Sequence, residues 1–247
     1  MHDLTILIVF IYGLVFGSFF NVVGLRLPQD NLFSKDRSYC DNCQRTLTWT
    51  ELIPVFSFLV QAGKCRKCKQ PISWLYPIME LATGLLAAYS FIRFGWSKAL
   101  ILGFVLISLL IPVTVADLSY RKIPNKLLLF FTPLFIILKI NQLVPSLIGA
   151  ALAFFLLFLI IVLSKGGMGA GDLKLLTLLG FIFEPIPFLL LFFLATLYGV
   201  VGGLITMTIN KTGRQTAIPF GPYISLAAMT VYFYGPAIIR WYLSLIG

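Results

Sequence analysis

Charged residues are scarce in this chain. Only 11% of its 247 residues are charged, while 59% are hydrophobic. Soluble domains average about 25% charged and about 45–50% apolar residues, so this composition excludes an ordinary soluble protein. Several apolar runs approach the length of about 20 residues that a bilayer-spanning helix needs. We therefore expect an all-α polytopic membrane protein.

Histidine is almost missing, and acidic residues are few. The one histidine is His2, near the amino terminus, which leaves no Ser–His or Cys–His pair for covalent catalysis. Six of the nine acidic residues lie at the terminus, in the polar segment 26–74 or in a loop. The other three are Asp117, Asp172 and Glu80, each next to an apolar run. A carboxylate at that depth in a membrane protein is a candidate functional residue.

Eight apolar runs are candidates for transmembrane helices by their length and composition. They cover residues 4–25, 75–92, 99–116, 125–140, 145–164, 173–185, 187–209 and 217–246. The last run contains Gly235-Pro236, which allows either one kinked helix or two short ones. We predict a first transmembrane helix at 1–25, a polar insert at 26–74 and a transmembrane core at 75–247.

The distribution of Lys and Arg predicts the orientation of these helices, because cytoplasmic loops are enriched in basic residues. If the amino terminus is outside, 15 of the 19 basic residues fall in cytoplasmic loops. The carboxyl terminus is then also outside, and the insert, Asp117 and Asp172 face the cytoplasm. Loop bias also explains the net charge of +10, with an acidic partner or anionic lipid as the alternative. We predict no nucleic-acid partner.

All four cysteines lie in the insert, in two C-x-x-C pairs. Cys40 and Cys43 form the first pair, Cys65 and Cys68 form the second, and 21 residues separate the pairs. Four thiolates at tetrahedral corners bind zinc, and a site with four protein ligands is structural. Two disulfides or four unrelated thiols are the alternatives. A cytoplasmic location favours zinc, because disulfides rarely persist there.

Asp117 and Asp172 are candidates for an aspartate pair. Asp117 follows the third apolar run, and Asp172 precedes the sixth in GGMGAGDLKLL (166–176). Two carboxylates that share one proton are the catalytic arrangement of aspartic proteases. The glycines would let the backbone turn sharply and approach a substrate closely. Each Asp could instead cap a helix or pair with a nearby Lys or Arg, and capping explains Asp172 well when it is taken alone.

Glu80 lies at the start of the second apolar run, in LYPIMELATG. An interfacial carboxylate paired with a loop lysine explains this position as well as a functional role does.

Motifs along almost the whole chain resemble those of bacterial type IV prepilin peptidases, which are polytopic aspartic proteases of the G-x-G-D class. Their order from the amino terminus matches that of the family. They are GSFFNVVGLRLP (17–28), CDNC (40–43), CRKC (65–68), PISWLYPIMELATG (71–84), ADLSYRKIPN (116–125) and GMGAGDLKLL (167–176).

The resemblance implies that Asp117 and Asp172 are the catalytic pair. Gly169, Gly171 and Lys174 would then support the catalytic loop. The substrates would be prepilins and pilin-like precursors. They would be cut at the cytoplasmic face of the bacterial inner (plasma) membrane, between a short basic leader and an apolar helix. We consider the acidic residues of the insert as candidates to receive that leader: Asp30, Asp36, Asp41 and Glu51.

The resemblance also implies a second activity. Many members of the family methylate the new amino-terminal residue with S-adenosylmethionine, and the family associates the four-cysteine insert with these bifunctional members. Gly63 and Glu80 lie in matching segments and are our candidates for this activity.

Two other functions stay open on the residues alone. One is a transporter or membrane receptor with a zinc-binding docking domain, whose intramembrane polar residues form a pathway. The other is a protease that cuts within membrane spans, as presenilin-like members of the G-x-G-D class do. Asp117→Asn and Asp172→Asn would alter transport or binding without any proteolysis in the first case, and mapping of the cleavage site distinguishes the second case from a prepilin peptidase.

Overall fold

The computed structural model describes residues 2–30, 37–40, 42–164, 167–210 and 218–246. Within these ranges the regular elements are helices, and β-pairing is limited to two isolated bridges. The prediction of an all-α protein is confirmed. Apolar surroundings favour this result, because a helix satisfies its own backbone hydrogen bonds where no water is available.

Nine α-helices occupy the described residues, and each of the eight predicted runs coincides with one of them. The ninth is α2, a five-residue helix in the insert. The helices are α1 His2–Arg26, α2 Phe56–Val60, α3 Leu75–Phe94, α4 Lys98–Tyr120, α5 Asn125–Leu138, α6 Leu143–Leu163, α7 Ala170–Phe183, α8 Pro185–Asn210 and α9 Gly221–Ile246. The last of them continues through Pro236, so the final apolar run is one helix.

Six of the described helices are long and apolar enough to cross a membrane: α1, α3, α4, α6, α8 and α9. The other two predicted runs form α5 and α7, which have 14 residues each. At 1.5 Å per residue such a helix is about 21 Å long. The hydrocarbon core of a bilayer is about 30 Å thick, so α5 and α7 are shorter than a full span.

The chain divides into two compact units, Met1–Ala116 and Asp117–Gly247. In the first unit, α1 and α3 are antiparallel and approach closely at glycines. A Cβ atom on Gly13 would lie 2.7 Å from Cα of Gly84, and one on Gly17 would lie 2.8 Å from Cα of Glu80. Small residues therefore allow these two helices to pack backbone against backbone, as in membrane helix pairs generally.

In the second unit, α5 and α7 lie side by side and run in the same direction. Near their starts, Lys174 Nζ donates to Asn125 Oδ1 at 3.0 Å. Just beyond their ends, Lys139 Nζ donates to Glu184 Oε1 at 2.7 Å. The two polar contacts fix the relative register of the two short helices at both ends.

The antiparallel pair α6 and α7 depends on a second small-residue contact. A Cβ atom on Gly180 would lie 2.6 Å from both Ala153 Cβ and the Gly149 carbonyl oxygen. Because the obstacles include backbone, a larger residue can fit only if the helices separate.

We expect Gly180→Ala to lower the free energy of unfolding by about 1–3 kcal/mol, the usual effect of overpacking a tight contact. Thermal unfolding of the purified protein in detergent measures the change. Gly235→Ala is the matched control, since its added Cβ would meet only the Val231 side chain of the same helix. Equal unfolding temperatures for the two variants would contradict this account of the α6–α7 contact.

Candidate functional site

Asp117 lies in the last turn of α4 and is only 5% exposed. Its Oδ2 accepts a hydrogen bond of 2.7 Å from the backbone N–H of Gly221, the first residue of α9. A Cβ atom on Gly221 would lie 2.9 Å from this Oδ2. Glycine at this position therefore allows the backbone to approach the carboxylate closely. Gly221 could not be predicted from the sequence, because every residue except proline has a backbone N–H and no residue type marks this donor.

Asp172 is the third residue of α7, and Gly169 is the N-cap of that helix. The N–H of Gly169 acts on the Asp172 carboxylate and favours its ionised form, but the N-cap position itself belongs to Gly169 and not to Asp172. Burial, and then the neighbouring Asp117 carboxylate, raise the pKa of Asp172 to about 6. Asp172 thus lies in the first turn of its helix, close enough to Asp117 to be affected by its charge.

The segment that follows α4 brings the two aspartates together. Ile123 lies against the first turn of α7, where a Cβ atom on Gly171 would be 3.1 Å from Ile123 Cβ. Two residues further, Asn125 accepts the hydrogen bond from Lys174. Gly171 and Lys174 therefore hold the end of α4 against the start of α7, which explains why these residue types flank Asp172.

The four cysteine sulfurs form one cluster in the first unit. All four Sγ atoms lie within 4.8 Å of one another, and all four thiols are free. The Sγ atoms of Cys40 and Cys68 are 3.7 Å apart. Corners of a tetrahedron with metal–sulfur distances of 2.3 Å are about 3.8 Å apart. The cluster could therefore hold a metal ion, and none of its four cysteines is joined in a disulfide in this structure.

The two C-x-x-C pairs have the same local geometry. The N–H of Cys40 donates to the Arg45 carbonyl, and the N–H of Cys65 donates to the Gln70 carbonyl, both at 2.9 Å. In the second pair, backbone N–H groups of Cys68 and Lys67 donate to the Cys65 sulfur and lower its pKa to about 6. A thiol that ionises this readily is suited to metal binding, since the thiolate is the ligand.

Glu51 stabilises the insert through an ion pair. Its carboxylate is buried and accepts two hydrogen bonds from Arg45, at 2.7 and 3.0 Å, and one from the N–H of Thr48 at 3.0 Å. These donors, with Arg45 the largest effect, lower the pKa of Glu51 to about 2. Because its oxygens are already engaged by groups of the insert, the ion pair speaks against Glu51 as a receiver of the basic leader. Asp36 and Asp41 lie outside the described residues.

Gly63 and Glu80 both have structural roles in the first unit. Gly63 has a φ of +67°, and a Cβ atom there would lie 3.0 Å from Cζ of Phe58. Glu80 is buried, accepts the N–H of Val55 at 2.8 Å and bonds to the Ser18 side chain. Glu80 thus holds the insert to α3 through a backbone group, and not through the loop lysine considered above.

The helices, the cysteine cluster and the aspartate pair together indicate the class of protein. A helical membrane protein with two neighbouring carboxylates at helix ends has the attributes of a membrane aspartic protease. Residues 11–94 match the Bacterial Peptidase A24 N-terminal domain, and residues 104–204 match the Type IV leader peptidase family. The chain belongs to the type IV leader peptidase family.

Relatives along nearly the full length agree with this assignment. The prepilin leader peptidase/N-methyltransferase of Bacillus subtilis (strain 168) is 39% identical over 242 residues, which cover 96% of this chain and 98% of the relative. Proteins of the same name from Legionella pneumophila and Aeromonas hydrophila are 30% and 34% identical, and each alignment covers 96% of this chain and 94% and 93% of the relative, respectively. No solved structure matches the chain.

We expect Cys40→Ser to reduce the bound metal from one ion per chain to a small fraction, because three thiolates no longer close the tetrahedron. Elemental analysis of the purified protein measures this. Lys67→Ala is the matched control, since it keeps the backbone N–H that bonds to Cys65. Equal metal content in wild type and Cys40→Ser would contradict a four-thiolate site.

Proposed function

We propose that Asp117 and Asp172 are the catalytic pair of a membrane aspartic endopeptidase that removes the leaders of type IV prepilins and pilin-like precursors. The observation that carries the proposal is that the end of α4, with Asp117, lies next to the start of α7, with Asp172, in a chain of this family. Gly169, Gly171 and Lys174 support the catalytic loop through the bonds and contacts described above. The chain is a prepilin peptidase of the inner membrane.

The chemistry requires one carboxylate to be ionised and the other to be protonated. The ionised carboxylate accepts a proton from a water molecule, and the water oxygen attacks the carbon of the scissile amide. The protonated carboxyl donates its proton to the carbonyl oxygen, as in other aspartate pairs. Protonation of the amide nitrogen then breaks the C–N bond and yields a carboxylic acid and an amine. No covalent intermediate is needed, in agreement with the lack of a Ser–His or Cys–His pair.

We assign the active site to the cytoplasmic face, with both termini outside. The distribution of basic residues supports this orientation. The contacts of α5 and α7 are consistent with it, because Lys174 and Asn125 meet near the aspartates while Lys139 and Glu184 meet at the opposite helix ends. Lys174 and Asn125 thus lie at one end of the α5–α7 pair, and Lys139 and Glu184 lie at the other end. The count of basic residues predicts the same division between the cytoplasmic and the outer side.

The metal that we propose for the cysteine cluster is zinc, held by Cys40, Cys43, Cys65 and Cys68. Four thiolates suit zinc and leave no open position for a reacting water. Its role is structural: it closes an insert of about 49 residues that is too small to form much of a core. The Arg45–Glu51 ion pair adjoins the cluster, with Arg45 Nη2 4.0 Å from the Cys65 sulfur.

The same chain also methylates the new amino terminus, and we propose S-adenosylmethionine as the methyl donor. This compound supplies a methyl group on a positively charged sulfur, and the amine that accepts it must lose a proton. Glu80 is a buried carboxylate of the first unit. Among the described residues its partners are the Val55 N–H and the Ser18 side chain, and neither carries a charge. We propose that Glu80 serves this reaction and that Gly63 shapes the insert for it.

We expect Asp117→Asn and Asp172→Asn each to lower the cleavage rate by about 10²–10⁴-fold or more, since each removes a group that transfers a proton. A reconstituted assay with a candidate prepilin measures the rate. Glu184→Gln is the control, because this carboxylate pairs with Lys139 at the far end of α7. Cleavage at the wild-type rate by either Asn variant would reject the catalytic pair.

For methylation, we expect Glu80→Gln to retain cleavage but to reduce methyl transfer at least tenfold. The amide can still accept the Val55 N–H, so the fold is kept while the negative charge is lost. Mass spectrometry of the product amino terminus, with and without S-adenosylmethionine, separates the two activities. Full methylation by the variant would exclude Glu80 from that reaction.

A further inference from the structure

The segment Ile218–Tyr223 precedes and begins α9, and it packs against a glycine-rich face of α8. A Cβ atom on Gly199 would lie 2.9 Å from the Phe220 ring, and one on Gly203 would lie 3.0 Å from Ile218 Cδ1. Gly202 is in still closer contact with the Tyr223 ring. Three side chains of this short segment therefore pack against three glycines of α8.

The packing of these side chains on α8 determines the direction of the first backbone N–H of α9. Phe220 is immediately before Gly221, and Tyr223 is two residues after it. With both rings fixed against α8, the Gly221 N–H donates to Oδ2 of Asp117 at 2.7 Å. The bond is buried and joins residues 104 positions apart in the sequence. A short bond of this kind to a carboxylate is a charge-assisted hydrogen bond, which is stronger than one between neutral groups.

We propose that Gly221 is a positioning residue of the aspartate pair, whose N–H fixes Oδ2 of Asp117 and leaves Oδ1 to share the proton and bind water. The inference rests on the proposed function, since it concerns the geometry of the same pair. In it, Asp117 is the ionised member and accepts the proton of water, while Asp172 carries the proton that is donated to the substrate.

The charges around the pair agree with this assignment. Arg121, one turn after Asp117, acts on it with a positive charge, which favours the ionised carboxylate, and the charge of Asp117 acts on Asp172 of α7. From α9, Gly221 contributes a backbone N–H and no charge, and the Tyr223 ring packs on Gly202 of α8. Burial and the charge of Asp117 raise the pKa of Asp172 to about 6, as expected if Asp117 is the ionised neighbour.

Gly221→Ala tests the inference directly. Its Cβ would lie 2.9 Å from Oδ2 and 3.0 Å from Cβ of Asp117, so the carboxylate must move away from the N–H. We expect kcat to fall about 10- to 100-fold with KM changed less than about twofold, because a displacement of about 1 Å disturbs the chemical step. We also expect the acid limb of the pH profile to move up by about one pH unit, because the ionised pair loses a hydrogen bond.

Gly235→Ala is the matched control, a glycine-to-alanine change on the same helix that meets only the Val231 side chain. Its kcat and its pH profile should equal those of wild type. A merely structural effect of Gly221→Ala would lower the amount of folded enzyme without moving the acid limb. A wild-type kcat and an unmoved acid limb for folded Gly221→Ala would overturn the inference.

If Gly221→Ala does not fold, Phe220→Ala decides the question. Phe220 is only partly buried, and its loss frees the segment from Gly199 while the Gly221 backbone is unchanged. We expect a smaller fall in kcat with the same upward movement of the acid limb, and no change in either would overturn the inference. Inactive Asp117→Asn together with normal Phe220→Ala would reject only the role of Gly221. Active Asp117→Asn would reject the proposed function itself.

Discussion

The bond from the Gly221 N–H to Asp117 Oδ2 connects two helices that are far apart in the sequence, and the geometry of the site depends on it. A buried carboxylate is stable only if donors satisfy it, because the loss of water around a charge is costly. Asp117 obtains its donor from α9, and Asp172 obtains one from Gly169 at the start of its own helix. The two carboxylates can therefore lie close together with backbone N–H groups, and not lysine or arginine side chains, as their donors.

Glycine residues allow close contacts between helices at three places in the second unit. Gly180 lets α6 pack on α7, Gly171 lets the segment after α4 cross α7, and Gly221 lets α9 reach Asp117. In each case a Cβ atom would lie close to atoms of another segment. In an apolar environment the hydrophobic effect does little to hold helices together, so close packing of this kind carries much of their association. The same contacts that assemble the helices thus place the acidic groups.

Much of this architecture could be predicted from the sequence. Apolar runs predict eight of the nine described helices, and the spacing of the cysteines predicts the cluster, because both signals are local. The position of Asp172 in the first turn of α7 follows from the glycines before it. The partner of Asp117 could not be predicted, since any residue has a backbone N–H and Gly221 lies 104 residues away. The engagement of Glu51 by Arg45 was equally hidden, because charge alone does not show which groups pair.

The central claim is that Asp117 and Asp172 act as one unit. A double-mutant cycle with Asp117→Asn, Asp172→Asn and the combined variant tests it most directly, with single-turnover cleavage rates measured at high enzyme concentration. Groups that act together are strongly non-additive, so the account predicts that the combined variant is no slower than either single variant. A combined loss equal to the product of the two single losses would show that the carboxylates act independently and would contradict the account.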